Sequence, residues 1–210
     1  MDEKKIALLL SKLQGIAQTG LTYGKDVFDS ERYTQILQVT TELTQSLTDL
    51  PAEKIRYYME TDEGYATPKV DIRAVVFSED RLLLVKEKSD GTWALPGGWA
   101  DIGYSPFEIA EKEVLEEANI SCCAQRLLAV KDKSKHDYPA SLTYVYKFFI
   151  LCQPQEHQIP KEFETIETSA AGFFSEAEIQ ELPLSRARNT ESDFAMIFAD
   201  HREIQETFCD

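Results

Sequence analysis

Positive charge is in short supply in this chain: 22 Lys and Arg stand against 37 Asp and Glu, leaving a net charge of −15. So acidic a surface repels phosphate backbones and anionic membranes, which disfavours nucleic acid and membrane as partners. A small anionic ligand would need local cations, from a metal ion or a few converging Lys and Arg side chains. Long apolar runs are missing as well. The longest near the start is Ile6 to Leu10, too short for a membrane span or a secretory signal. Cysteine is confined to Cys122, Cys123, Cys152 and Cys209. The adjacent pair resists an unstrained disulfide, so the four read as reduced thiols in a cytoplasmic protein. No further Cys or His pair stands at zinc spacing.

What is present suffices for an ordinary core: 43% of the 210 residues are apolar and 10% aromatic. This supports one catalytic domain with a small appendage. Ile6, Leu9, Leu10, Leu13, Ile16 and Ala17 recur at helical spacing and predict a helix over 4–19 that ends near Gly20. A second helix is expected after a cap at Asp29 or Ser30, with Tyr33, Ile36, Leu37, Thr40, Leu43 and Leu47 as its apolar stripe. Pro51 opens a third, through Met59. Such helices cannot bury both stripes alone, so they pack on a second copy, giving a homodimer, or cap the downstream domain of the same chain.

The run from Glu60 to Pro68 lacks periodicity and reads as a linker, dividing a helical domain over 1–62 from a second domain over 63–210. Strands follow at Val70–Phe77, Arg81–Lys86 and Trp93–Leu95, then a helix near 106–118. Further strands are expected at Leu127–Asp132, Leu142–Leu151 and Gly172–Phe174. Ser175 and Glu178 form a capping box for another helix, and Glu191–Phe208 has helical periodicity. Interleaved strands and helices predict an α/β or α+β sandwich.

The informative segment is Leu95-Pro96-Gly97-Gly98 followed by Glu113-Val114-Leu115-Glu116-Glu117. Ser105, Pro106 and Glu108 supply an N-cap, an N1 proline and a capping box, and Asn119 suits a left-handed stop. Phe107, Ala110 and Val114 are expected to face the core. Glu113, Glu116 and Glu117, at i, i+3 and i+4, then crowd one helix face at a cost of roughly 0.2–0.5 kcal/mol per like-charged pair. A hard divalent cation turns that repulsion into affinity, because Mg²⁺ prefers oxygen ligands and leaves positions for water and phosphates. The bland alternative is a solvated acidic face relieved by a Lys112–Glu116 pair. The two glycines tip the balance, since they let a carbonyl turn towards a metal or an amide approach a phosphate.

In order and spacing, Gly98, Glu113, Val114, Glu116, Glu117 and Ile120 resemble the Nudix box, which covers 23 residues here. Three positions depart from it: Tyr104 stands for its first glutamate, Lys112 for its arginine and Asn119 for its last glycine. Lysine lacks the planar fork of arginine, so it holds a neighbouring glutamate less firmly. The stretch Gly97-Gly98-Trp99-Ala100-Asp101-Ile102-Gly103-Tyr104-Ser105-Pro106, with the helical extension, resembles a bacterial Nudix subgroup linked to CDP-choline and ADP-ribose hydrolysis. The resemblance implies an α+β fold, a Nudix-type α/β/α sandwich with a mixed sheet, preceded by a small all-helical domain. It implies that Glu113, Glu116, Glu117 and the Gly97 carbonyl hold Mg²⁺ or Mn²⁺. It also implies a pyrophosphohydrolase acting on a nucleoside diphosphate conjugate.

Glu113 is one catalytic candidate; Glu164 and Glu167, on a later loop, are candidates for an assisting base, with Glu167 preferred. Arg73, Lys86 and Lys88 could meet phosphates but read more simply as surface charges. His136 could touch substrate, and Trp93 or Trp99 could stack a base, although Trp93 reads more simply as core. Two other readings stand beside hydrolysis of a small nucleotide: a silent Nudix-like nucleotide sensor, and an RNA-directed hydrolase or nuclease, which the −15 charge disfavours.

Overall fold

A computed structural model describes residues 2–48, 51, 53–55, 63–155 and 165–210. Glu164, most of the helix expected at 51–59 and part of the 60–68 linker lie outside the described residues. The chain divides into two compact units, one of Met1–Pro68 with Ala140–Tyr144 and one of Lys69–Pro139 with Val145–Asp210. Among the described residues no helix is long and apolar enough to cross a membrane.

In the first unit, α1 (Glu3–Tyr23) packs on α2 (Val27–Leu47). The first helix runs past Gly20 to a stop at Gly24. A Cβ on Gly20 would sit 2.4 Å from the Tyr33 ring, so this glycine serves close helix packing rather than termination. Asp26, not Asp29 or Ser30, caps α2 by accepting from the amides of Phe28 and Asp29. The face α2 buries holds Thr40, Thr41 and Thr44, each hydroxyl donating to the carbonyl four residues back. Leu43 and Leu47, expected in the packed stripe, are exposed instead, as are Leu9, Leu13 and Ile16 on α1.

The second unit holds β1 (Lys69–Ser78), β2 (Arg81–Glu87), β3 (Trp93–Ala94), α3 (Pro106–Ala118), β4 (Cys122–Asp132), a 3₁₀ turn (Lys133–Lys135), β5 (Val145–Pro154), β6 (Thr168–Phe174), α4 (Glu176–Gln180), α5 (Glu191–Arg202) and β7 (Phe208–Cys209). The strand order is β3-β2-β1-β5-β4-β7, with β6 also on β2. The sheet is mixed, since β1 runs parallel to β5 while β4 runs antiparallel to it. Alternation along β1 feeds two cores. Ile72, Ala74 and Val76 pack with Ile109, Ala110, Val114 and Ala118 of α3, while Val75 packs with Ile179, Phe194, Ile197 and Phe198 from α4 and α5. This is the expected α/β/α sandwich. Phe107, expected in the core, is exposed at the first turn of α3, and Ile109 fills its place.

The main contact between β1 and β2 is confined to their hairpin end, with Phe77 opposite Leu82. Further along β1, the loop 96–100 takes the place of β2. Ile72 N–H donates to the Gly98 carbonyl at 2.8 Å, Ala74 N–H to that of Pro96 at 2.9 Å, and Ala100 N–H to that of Val70 at 2.9 Å.

Candidate active site

Backbone geometry explains the first glycine of the Gly97-Gly98 pair. Gly97 has φ +145°, and a Cβ there would meet the Ile72 carbonyl oxygen at 2.0 Å. A side chain on Gly98 would press against Glu113 Oε1 at 2.9 Å. The turn can therefore lie between β1 and the acidic face of α3.

Local signals fix α3. Ser105 and Glu108 complete a reciprocal capping box, Pro106 begins the helix, and Asn119 ends it at φ 52°. Val114 on the inner face then sets the rotation that sends Glu113 and Glu117 to the glycine turn. Glu117 is 5% exposed, and its Oε2 accepts from Gly97 N–H at 2.9 Å. Burial pushes its pKa up to about 8, against the pull of that amide and of Arg73. Burial also raises Glu113, with Lys112 opposing and Glu116 reinforcing. Glu116 stays exposed and is 3.4 Å from Lys112 Nζ, which also reaches Asp101 at 3.1 Å. Lys112, which stands where the box it resembles has arginine, thus ties α3 to the loop before it. Tyr104 remains exposed.

Glu167 lies on the loop before β6, where its carbonyl accepts from Lys88 N–H at 2.9 Å. Its charge is near enough to raise both Glu113 and Glu87. The structure thus brings Gly97, Glu113, Glu117 and Glu167 to one neighbourhood, with Glu116 at its rim. Among the described residues no three His, Cys, Asp or Glu side chains converge tightly enough to hold a metal ion. Like-charged carboxylates spread apart, and here Glu117 turns to an amide and Glu116 to a lysine. The donor set still fits a hard divalent cation: carboxylate oxygens beside a carbonyl-rich turn, one of them held in a dry setting that disfavours uncompensated charge.

A buried ionic layer beneath the turn escaped the sequence reading. Arg73 is a core residue, not a surface charge: its guanidinium grips Asp71 at 2.7 Å and reaches the Leu95 carbonyl at 3.2 Å. Lys147, across the parallel pair, also bonds to Asp71. Burial alone would raise the Asp71 pKa, but Arg73 and Lys147 together hold it below the usual carboxylate range. Alongside, Lys131 and Tyr138 both donate to the buried Asp193, at 2.7 and 2.5 Å, and Arg188 pairs with Glu87 at 2.9 Å. The only hint in sequence is a charge set among apolar strand residues, as in Ile72-Arg73-Ala74 or Tyr146-Lys147-Phe148.

The remaining candidates are taken up by other contacts. Lys88 Nζ donates to the Thr165 carbonyl. His136 pairs with Asp210 at 2.9 Å. Trp93 packs edge-on against Phe174 beside the second core, whereas Trp99 is exposed. Cys122 and Cys152 are buried together in the first core.

Comparison with known proteins agrees with this architecture. Residues 4–59 match the family model described as a UDP-X-like, N-terminal oligomerisation domain, and residues 67–194 match the NUDIX domain. YjhB of Bacillus subtilis (strain 168), provisionally named an ADP-ribose pyrophosphatase, is 42% identical over 188 residues, covering 89% of this chain and 88% of its own. A crystal structure of a UDP-X diphosphatase aligns over 100% of both chains at 29% identity, with a TM-score of 0.63. An ADP-ribose pyrophosphatase from Streptococcus suis 89-1591 aligns at 41% identity over 69% of this chain and 100% of its own, with a TM-score of 0.60. With its glycine turn, acidic helix and two-part architecture, the chain belongs to the Nudix hydrolase family.

Proposed function

We propose that the protein hydrolyses the diphosphate linkage of a nucleoside diphosphate conjugate, releasing a nucleoside monophosphate and a phosphorylated moiety. ADP-ribose and CDP-choline lead as substrates, with UDP conjugates beside them. The observation that carries this reading is the pair of carboxylates, Glu113 and Glu117, flanking the Gly97-Gly98 turn. The names of the Bacillus and Streptococcus relatives favour ADP-ribose, and that of the UDP-X diphosphatase widens the class.

Glu113, Glu116, Glu117 and the Gly97 carbonyl are the proposed holders of Mg²⁺, with Mn²⁺ as the alternative ion. Bound there, the ion would neutralise diphosphate charge and acidify a coordinated water. The protein's own residues do the rest. Gly97 presents its backbone closely because it carries no side chain. Glu113, with its raised pKa, and Glu167 are the proposed acceptors of the attacking water's proton. Arg73, braced by Asp71, keeps positive charge under the turn. Monophosphate release from ADP-ribose is expected with Mg²⁺ and is expected to stop when EDTA replaces the ion. Undiminished release in EDTA would remove the metal reading, and nucleotide binding without release would favour a sensor.

We further propose a homodimer through the exposed face of the helical unit, where Leu9, Leu13 and Ile16 follow one another at helical spacing. The match to an oligomerisation domain supports it. Leu13→Asp with Ile16→Asp is expected to halve the mass measured by light scattering; an unchanged mass would place the contact elsewhere.

A further inference from the structure

The approach to the glycine turn is fastened bond by bond. Trp93 N–H donates to the Pro183 carbonyl at 2.8 Å, and the Trp93 carbonyl accepts from Ser185 N–H at 2.9 Å, so residues 183–185 run beside β3 as an added strand would. At Leu95 a side chain takes over from this ladder: Asn189 Oδ1 accepts from Leu95 N–H at 2.9 Å. Arg73 holds the Leu95 carbonyl at 3.2 Å, Ala74 N–H holds that of Pro96 at 2.9 Å, and Gly97 N–H reaches Glu117 at 2.9 Å. Proline has no N–H and a fixed φ. Leu95 N–H is therefore the last main-chain donor before Gly97, and Pro96 is a stiff link between the two.

Asn189 is itself firmly seated. It is 1% exposed, and its N–H donates to the Ser185 carbonyl at 2.9 Å. The next residue, Thr190, caps α5 in a reciprocal box with Asp193, the buried carboxylate that Lys131 and Tyr138 also bind. Among the described residues Asn189 Nδ2 has no hydrogen-bond partner. A buried donor left unmet is costly, so acceptance from Leu95 N–H is what the amide contributes in this place. Leu95 is fully buried, and without that oxygen its N–H would have no water to turn to.

We propose that Asn189 is a positioning residue for the reaction: by anchoring Leu95 it fixes where Gly97 and Gly98 present their backbone to the metal ion and the diphosphate. The proposal rests on the hydrolase reading for its chemistry. The buried side chain does not itself touch substrate. A clamp two residues from the turn acts on the geometry of the reacting centre, so its loss belongs in kcat and in metal affinity rather than in KM.

The test compares wild type with Asn189→Leu, which has a similar size but no acceptor, and with Asn189→Asp, which keeps one. Ser185→Ala is the control on the same loop, because its hydroxyl accepts from Arg188 and not from the turn. Amide hydrogen exchange of the metal-free protein, calorimetric titration with Mn²⁺ and steady-state ADP-ribose hydrolysis at saturating Mg²⁺ are measured on each. Asn189→Leu is expected to speed exchange at residues 97–100 by about tenfold while leaving β4 and β5 unchanged. It is also expected to weaken Mn²⁺ binding and lower kcat, each by about tenfold, with KM within about threefold. Asn189→Asp is expected to keep the turn slow to exchange, and Ser185→Ala to match wild type throughout. Faster exchange spread evenly over the sheet unit would show a merely structural role and overturn the proposal, as would unchanged exchange and Mn²⁺ affinity in Asn189→Leu. Should that variant fail to fold, Asn189→Ser, with its shorter side chain, is judged by the same measures. If wild type does not hydrolyse ADP-ribose, the substrate reading falls, while exchange and Mn²⁺ titration still judge Asn189: a locally loosened turn with weakened Mn²⁺ binding supports it, and equality with wild type overturns it. A wild type that binds no Mn²⁺ overturns both.

Discussion

Replacing Glu117 with glutamine is expected to lower kcat for ADP-ribose by roughly 10²–10³, the scale of removing one electrostatic group from a reaction centre. Glutamine keeps the shape and can still accept from Gly97 N–H, so the turn should hold its place. What is lost is negative charge at the most buried of the three helix glutamates. The same variant has a second readout that needs no substrate. In metal-free protein the Glu117 carboxyl has a pKa of about 8, above its ordinary 4.5. The folded state therefore holds a proton that the unfolded state has released. That stability is fully present below the ordinary value and is lost as pH rises through the folded one. Tm in EDTA should thus fall between about pH 5 and pH 8 for wild type and fall less for Glu117→Gln. Parallel curves would show that Glu117 is ionised in the folded protein without help. Loss of turnover with an unshifted curve would separate the catalytic role from the burial argument.

Asp71→Ala is expected to destabilise the sheet unit by about 3–5 kcal/mol, because it strands two buried cations at once. For a chain of this size that is roughly 6–20 °C in Tm. Lys147 is 1% exposed and Arg73 is 5% exposed, so neither reaches water when its carboxylate is gone. Asp71→Asn should cost a similar amount, which would identify charge rather than volume as the cause. Joining Asp71→Asn to Lys147→Met should cost less than the two single changes summed, since the pair then leaves together. Urea unfolding of the four proteins gives the comparison. Additive losses would mean that Asp71 is held by Arg73 alone.

Local chemistry explains which parts of this molecule were legible in advance. The start of α3 is written in three neighbouring residues, Ser105, Pro106 and Glu108, and its end in Asn119, so both boundaries follow from short-range hydrogen bonding. The spacing of Glu113, Glu116 and Glu117 likewise fixes a shared face. Glycine was ambiguous because it answers two different needs. Gly97 supplies a backbone angle, whereas Gly20 supplies room for Tyr33, and a sequence shows the residue without the need. Asp26, Asp29 and Ser30 all stand near the start of α2, and the geometry of Asp26 decided among them. The buried layer was out of reach for another reason. Asp71 and Lys147 are 76 positions apart and meet only through the parallel pairing of β1 with β5. Read along the chain, Asp71 and Arg73 are two charges in one strand with nothing to show that both are buried. The leucines of α2 misled in the opposite direction: periodicity revealed an apolar face but not that threonines would occupy the inner side.

Main-chain atoms, rather than side chains, fasten the 96–100 loop to β1, through the amides of Ile72 and Ala74 and the carbonyl of Val70. Its alignment is thereby insulated from the identity of most residues that follow. Trp99, Ile102 and Tyr104 project outward and can be exchanged without disturbing the framework that carries the glycines. A randomised library at these three sites would accordingly sample new ligand preferences on a fixed chassis, and most of its members should remain folded.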